Sequence, residues 1–207
     1  MTNILYLTSS PNGSVSYSNR GAARLLDELR REYPGASIKH RDLATDPLPH
    51  IDEDFVAATR RSEGPRTDRQ HKLLALSDSL VDELLAADVV VIAVGMINFS
   101  IPSTLKSWID FVARAGRTFR YGANGAEGLA TGKKVILVAA SGGVYSGDGA
   151  AMDFQVPYLR KVLGFLGMTD VSVFEVEGTA YGPEVAEKAL ETASAAIQRR
   201  CAEAAAA

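Results

Sequence analysis

Apolar positions along the chain fall into two alternating patterns. Short continuous runs of aliphatic residues recur, and between them lie longer stretches with an apolar residue every three or four positions. Residues 3–8 (NILYLT), 37–42, 88–94 (DVVVIAV), 134–140 (KVILVAA) and 171–177 read as strands. The unbroken β-branched character of 88–94 and 134–140 is that of strands buried on both faces of a parallel sheet. Residues 19–32 form an amphipathic helix with Leu25, Leu26 and Leu29 on one face, stopped by Tyr33-Pro34-Gly35. Thr67 and Gln70 have the spacing of a capping box, which predicts a helix from there to about Ala87. Leu73, Leu76, Leu80 and Leu84 recur along it at helical spacing.

Further helices are expected over 103–114, over 152–166, with Pro157 in the first turns or at a kink, and over the alanine-rich 183–206. Residues 118–121 and 128–131 flank a Gly/Asn turn and predict a small hairpin. The stretch 43–66 is irregular, with a short helix around 54–60. Strand and helix thus alternate five times without a repeat, a linker or a shift in composition. That order predicts one α/β domain over residues 1–207, a doubly wound five-stranded parallel sheet with helices on both faces. Ligands of such sheets bind beyond the carboxyl ends of the strands, at the switch point.

Composition narrows the class. Of 207 residues, 46% are hydrophobic and 23% charged, and the formal net charge is -3. This is ordinary globular composition and lacks the positive charge of a nucleic-acid binder. Cys201 is the one cysteine, so an internal disulfide and multi-cysteine metal sites are excluded. The first residues carry no basic segment followed by a long apolar one, and the longest apolar run, 89–94, is too short to cross a bilayer. A cytoplasmic location without membrane attachment is expected.

Three loops follow the first, third and fourth main strands, so they share one edge of the expected sheet. The first, residues 9–19, offers serine hydroxyls and a helix N-terminus, a setting for phosphate without lysine or arginine. It lacks the Walker motif and G-x-G-x-x-G, which favours a monophosphate over a pyrophosphate. A plain helix cap in a serine-rich loop would look the same. In the second, 95–102, apolar side chains could cover a planar ring and Asn98 could pair with ring amides, or Met96, Phe99 and Ile101 simply close the core. In the third, 141–147, Gly142 and Gly143 permit close approach of backbone to a ligand, or an ordinary strand–helix turn.

Taken together, TSS…SYSN, MINFSIP running into LKSWID, FRYGANGAEGL, SGGVYS, GFLGMTDV and EGTAYGPE resemble the FMN-dependent NADH:quinone oxidoreductases, also called FMN-dependent azoreductases. The resemblance covers nearly the whole chain. It implies a flavodoxin-like fold, a homodimer, FMN bound near the dimer interface, NADH or NADPH as co-substrate, and ping-pong reduction of quinone or azo acceptors. On the matching positions, Ser10, Ser16, Tyr17 and Ser18 would hold the phosphate. Met96, Ile97, Asn98 and Phe99 would form the isoalloxazine loop, and Ser141, Gly142 and Gly143 would lie on the other side of the ring. Tyr121 would help form the acceptor pocket, from the partner subunit, with Ile97 also facing that pocket. No side chain is needed as a nucleophile, because the flavin carries the chemistry.

Two positions depart from the family pattern, Pro-Met-Tyr-Asn-Phe. Here Gly95 removes a proline and Ile97 removes an aromatic ring and a hydroxyl, which points to a specialised acceptor. Competing readings are a non-catalytic flavin module and a pathway-specific reductase. His40, His50 and His71 have no metal-site spacing and read as surface residues. Ser10 and Ser141 lack a nucleophile-elbow context. Trp108 is expected in core or dimer packing, and Arg60 and Arg61 are candidates for the nucleotide's phosphates.

Overall fold

The computed structural model describes residues 1–60, 65–123 and 125–205. In chain order the elements are β1 (Asn3–Thr8), α1 (Tyr17–Glu32), β2 (Ser37–Asp42), α2 (Glu53–Thr59), α3 (Asp68–Ala86), β3 (Val89–Gly95), α4 (Ser103–Val112), β4 (Phe119–Gly122), β5 (Gly125–Gly128), β6 (Lys134–Ala140), α5 (Val156–Phe165), β7 (Asp170–Val176) and α6 (Pro183–Ala205). Five strands form one sheet in the order β2-β1-β3-β6-β7, every pair parallel. The expected flavodoxin-like doubly wound sheet is therefore present. The chain winds outward to β2 and then reverses across β1 to β3, so the switch point lies between β1 and β3.

Side-chain alternation divides the core in two. Leu5, Leu7, Val90, Ile92, Val94, Val135 and Leu137 face α3, α4 and α5, where Trp108, Phe111, Leu84 and Leu163 are fully buried. Ile4, Tyr6, Val89, Val91, Ile136 and Val138 face α1 and α6, meeting Leu25, Leu29, Leu190 and Ile197. Trp108 is thus a core residue. Each strand carries apolar residues at both parities because both faces are covered.

Helix ends follow the chemistry of their caps. Thr67 and Gln70 form the full capping box of α3. At its other end Lys133 Nζ, buried, donates to the carbonyls of Leu85 and Ala87 at 2.7 Å each. The Asp52 side chain caps α2.

Three expectations need correction. The helix expected over 152–166 begins at Val156, after a 3-10 turn at Gly147–Met152. Asp153 Oδ1 accepts from the amides of Gln155 and Val156, which starts the helix there, and Pro157 sits in its first turn without a kink. Helix α1 starts at Tyr17 instead of Asn19, with Ser16 as its N-cap. In the hairpin, β4 pairs antiparallel with Gly125–Gly128 instead of 128–131. After Gly128 the chain turns to the end of α5, where Ala130 N donates to Leu166 O at 2.8 Å. Gly128 itself lies so close to Gly167 that a Cβ there would come within 2.1 Å of the Gly167 nitrogen. The Asn124 part of the expected turn lies outside the described residues.

Candidate active site

The loops after β1, β3, β6 and β7 meet at the carboxyl edge of the sheet. They enclose a cleft of about 560 Å³ lined by Ser10, Ser16, Tyr17, Gly95, Met96, Ser141, Gly142, Thr179 and Ala180, among others. Six of the expected residues (Ser10, Ser16, Tyr17, Met96, Ser141 and Gly142) therefore share one wall system at the switch point.

One end of the cleft is built by the first loop. A 3-10 turn at Gly13–Val15, entered through Gly13 at φ 54°, lifts the chain before α1. Ser10 Oγ accepts from Asn12 N at 3.4 Å. Ser16 occupies the N-cap with extended backbone, yet no side chain caps the helix. Its hydroxyl instead pairs with Ser18 Oγ at 3.0 Å. Ser18 is fully buried, so it supports Ser16 from below and does not line the cleft. The first amides of α1 are left for another acceptor, with the positive end of the helix dipole behind them. Arg20, one turn on, is neutralised by a bidentate pair with Glu187 at 2.7 and 2.8 Å.

The second loop is a tight turn. Ile97 and Ser100 exchange backbone hydrogen bonds of 2.9 and 3.0 Å, and the residues between them have positive φ, 48° at Asn98 and 69° at Phe99. This is the geometry of a two-residue I′ turn, comfortable for asparagine and costing a bulky residue roughly 1–2 kcal/mol. Phe154 N holds the Phe99 carbonyl at 3.0 Å, and the Phe99 ring meets Tyr145 edge-on at 6.2 Å. The turn divides the expected loop residues. Met96 lines the cleft described above, whereas Ile97 and Asn98 line a second cleft of similar volume with Pro11, Ile101, Lys106 and Tyr158. Phe99 lines neither and is 43% exposed. A Cβ on Gly95 would meet Ser10 Oγ at 3.7 Å, an ordinary contact, so the glycine leaves open space beside Ser10.

At the other end, residues 141–143 are stitched to 178–180. Ser141 O accepts from Thr179 N and Oγ1 at 3.1 and 3.0 Å. Gly142 O accepts from Ala180 N and Gly143 O from Gly178 N. All three carbonyls are consumed, while the Gly142 and Gly143 amides find no acceptor among the described residues. Gly143 sits at the rim behind Tyr145. Thr179, Ala180 and the anchoring Glu177 were not among the expected site residues. Glu177 accepts from Tyr145 N at 2.5 Å and from Ser146 N and Oγ at 2.9 and 2.7 Å. The available signal was the pair Gly178 and Gly182 just after the last strand.

Tyr121 lines neither cleft. It is 76% exposed on the hairpin, edge-on to Phe119, which packs on Phe165 at 4.7 Å. Arg60 is exposed and lines neither cleft, and Arg61 lies outside the described residues. His40, His50 and His71 are exposed. Among the described residues no three His, Cys, Asp or Glu side chains group as a metal site.

A parallel 2-1-3 switch point with an uncapped helix and a glycine loop facing across it defines a class, and the chain belongs to it. Residues 2–201 match the family of flavodoxin-like fold. Within that family the chain is 53% identical over 199 residues to the FMN-dependent NADH:quinone oxidoreductase of Agrobacterium fabrum, covering 96% of this chain and 97% of that one. It is 48% identical over 197 residues to the protein of the same name from Escherichia coli, at 95% and 97% coverage. Among solved structures it is similar to an azoreductase from Bacillus anthracis, TM-score 0.89 and 28% identity over 97% of this chain and 99% of that one. An FMN-dependent NADH-azoreductase from the same species, solved in complex with FMN, gives TM-score 0.87 at 26% identity, over 97% and 100% of the two chains.

Proposed function

We propose that this protein is a single-domain, FMN-dependent oxidoreductase that carries hydride from NADH or NADPH to quinone or azo acceptors, working as a cytoplasmic homodimer. The observation that carries the reading is the cleft between β1, β3 and β6, with unsatisfied amides at both ends. The donor set suits FMN. At one end the first turn of α1, with Ser10 and Ser16 and without a free cation, suits a monophosphate. At the other, the Gly142 and Gly143 amides suit the carbonyl edge of a flavin ring. FMN, when bound, supplies two-electron chemistry, accepting hydride from the nicotinamide and giving it to the acceptor.

The protein's share is to bind and orient. Ser10, Ser16 and the Tyr17 amide would hold the phosphate, with the buried Ser18 fixing Ser16 through its Oγ. Met96 would line the ring's side of the cleft, and Asn98, which lines the second cleft, would reach the ring only from the turn between the two. The Gly142 and Gly143 amides would place donors where negative charge grows on reduction, a stabilisation that needs no reorganisation at the moment of transfer, while Ser141, whose amide and hydroxyl are spent on Val176 O and Gly143 O, would hold the loop in place. Tyr121 acts on the partner's site, a reading supported by its exposure and its absence from the lining of either cleft. Among the described residues no helix is long and apolar enough to cross a membrane.

A specialised acceptor is favoured by one observation. Ile97 lines the second cleft and is 40% exposed, where the family pattern has tyrosine. The test is direct. Purified protein is titrated with FMN, and NADH and NADPH oxidation are followed with and without a small quinone. Flavin binding and quinone-dependent, ping-pong oxidation are expected. A protein that cannot be reconstituted with FMN refutes the reading, and a flavoprotein inert to both nicotinamides makes it a binding module. Ile97→Tyr should redistribute rates among acceptors; unchanged kinetics across them rejects the specialised pocket.

A further inference from the structure

A small, partly open cavity lies directly behind the FMN cleft. Met96 and Ser141 line both spaces, so the two share a wall. The far side of the cavity is polar, formed by Asp153, Gln155, Glu175 and Glu177. It leaves about 10 Å³ for the centre of a water-sized sphere, close to the roughly 10–15 Å³ that one water molecule requires.

The polar groups around it are unequally satisfied. Gln155 is 1% exposed, and its Nε2 has no hydrogen-bond partner. A buried amide donor left unpaired costs about 1–3 kcal/mol, so a partner is expected. Asp153 is engaged by the first amides of α5, and Glu177 by Tyr145 and Ser146. Glu175, an exposed residue at the mouth of the space, accepts no hydrogen bond among the described residues, and partial burial of its carboxyl, then Glu177 and Asp153, push it above the usual range. One donor and one acceptor thus face a space sized for a molecule that is both.

We propose that this cavity holds one ordered water, accepting from Gln155 Nε2 and donating to Glu175 and Glu177. We infer further that Gln155 is a positioning residue for the FMN cleft. Through this water Gln155 holds Glu177, whose carboxylate anchors Tyr145 and Ser146 in the loop that begins at Ser141, the wall the two spaces share. The second part rests on the assignment of FMN to the cleft.

The test combines a high-resolution crystal structure of the FMN-loaded protein with FMN titrations monitored by flavin fluorescence. The wild type should show one water within hydrogen-bond distance of Gln155 Nε2 and Glu175. Gln155→Met, similar in volume but without the donor, should empty the cavity and raise the FMN Kd about tenfold, the size of one lost net hydrogen bond. The thermal midpoint without FMN should move little, which separates positioning from general stability. Should Gln155→Met fail to fold, Glu175→Ala at the solvent-facing side removes the acceptor and should weaken FMN in the same direction. A dry cavity, a metal ion at coordination distance, or unchanged FMN affinity in the folded variant overturns the inference. If the wild type itself does not take up FMN, the functional reading fails instead, and a structure without FMN still decides whether the water is there.

Discussion

Asn98 and Phe99 share one turn but tolerate it differently. Both have positive φ, and only asparagine adopts that region readily. Glycine at 98 would keep the turn and delete the side-chain amide. Asn98→Gly is therefore expected to change stability by less than about 0.5 kcal/mol while raising the FMN Kd about tenfold. Fluorescence titration beside a urea unfolding curve checks both halves, and unchanged affinity removes Asn98 from the binding set. Tyr6 offers a second residue-level test. Burial, and then the Asp42 carboxylate, push its phenol up to about 12 from 10.0. Its ring stacks on His40 at 4.5 Å. The folded state keeps the proton where the unfolded chain releases it, so this contribution is complete below pH 10. It is lost as pH rises from 10 to 12, at up to about 1.4 kcal/mol per pH unit. Urea midpoints at pH 9 and 11 should diverge in the wild type and converge in Tyr6→Phe. Some residues were invisible at this scale in the sequence. Glu177 is one carboxylate among many until β7 brings it to the Tyr145 and Ser146 amides, and nothing local marks that meeting.

Helix and strand identities were legible because they depend on short-range patterns. The capping box at Thr67 and Gln70 announced α3, and the apolar runs announced β3 and β6. Boundaries failed where a distant group decided them. Asp153 sets the start of α5, and the backbone contact of Gly128 with Gly167 sends the chain after β5 away from the hairpin. The C-terminus of α3 shows the same dependence, because its carbonyls are closed by a lysine 46 and 48 positions later. Lys133→Met keeps the aliphatic stem but leaves both carbonyls unpaired in a buried setting. It should cost about 2–3 kcal/mol in chemical denaturation. A loss below about 0.5 kcal/mol would mean that water replaces the ammonium.

For the molecule as a whole, the strand–helix alternation implied the sheet, and the switch-point rule pointed to the carboxyl edge, where the structure has its candidate cleft. Three loops separated by some 130 residues could be assigned to one cleft before any geometry was known. Which face each residue took could not. The I′ turn sends Met96 and Ile97 to different clefts, and a sequence does not display backbone handedness. The hairpin carries the remaining whole-molecule question. If the protein is a homodimer in which Tyr121 serves the partner's site, Tyr121→Ser should leave sedimentation and FMN affinity unchanged while lowering kcat/KM for a quinone severalfold. A variant with wild-type kinetics would remove the hairpin from the acceptor pocket.

The stitching of Ser141, Gly142 and Gly143 to residues 178–180 also bears on when the site comes into being. Its walls draw on residues from Ser10 to Ala180, and contacts that distant along the chain form late because their loop entropy must be met first. A nascent chain that had made β1, β3 and β6 but not yet docked β7 would have a phosphate end without its opposing loop. Such a chain is poorly equipped to retain a cofactor. If FMN occupies this cleft, loading then follows the last crossover, and the cofactor would act as a seal on a finished fold more than as a template for making it.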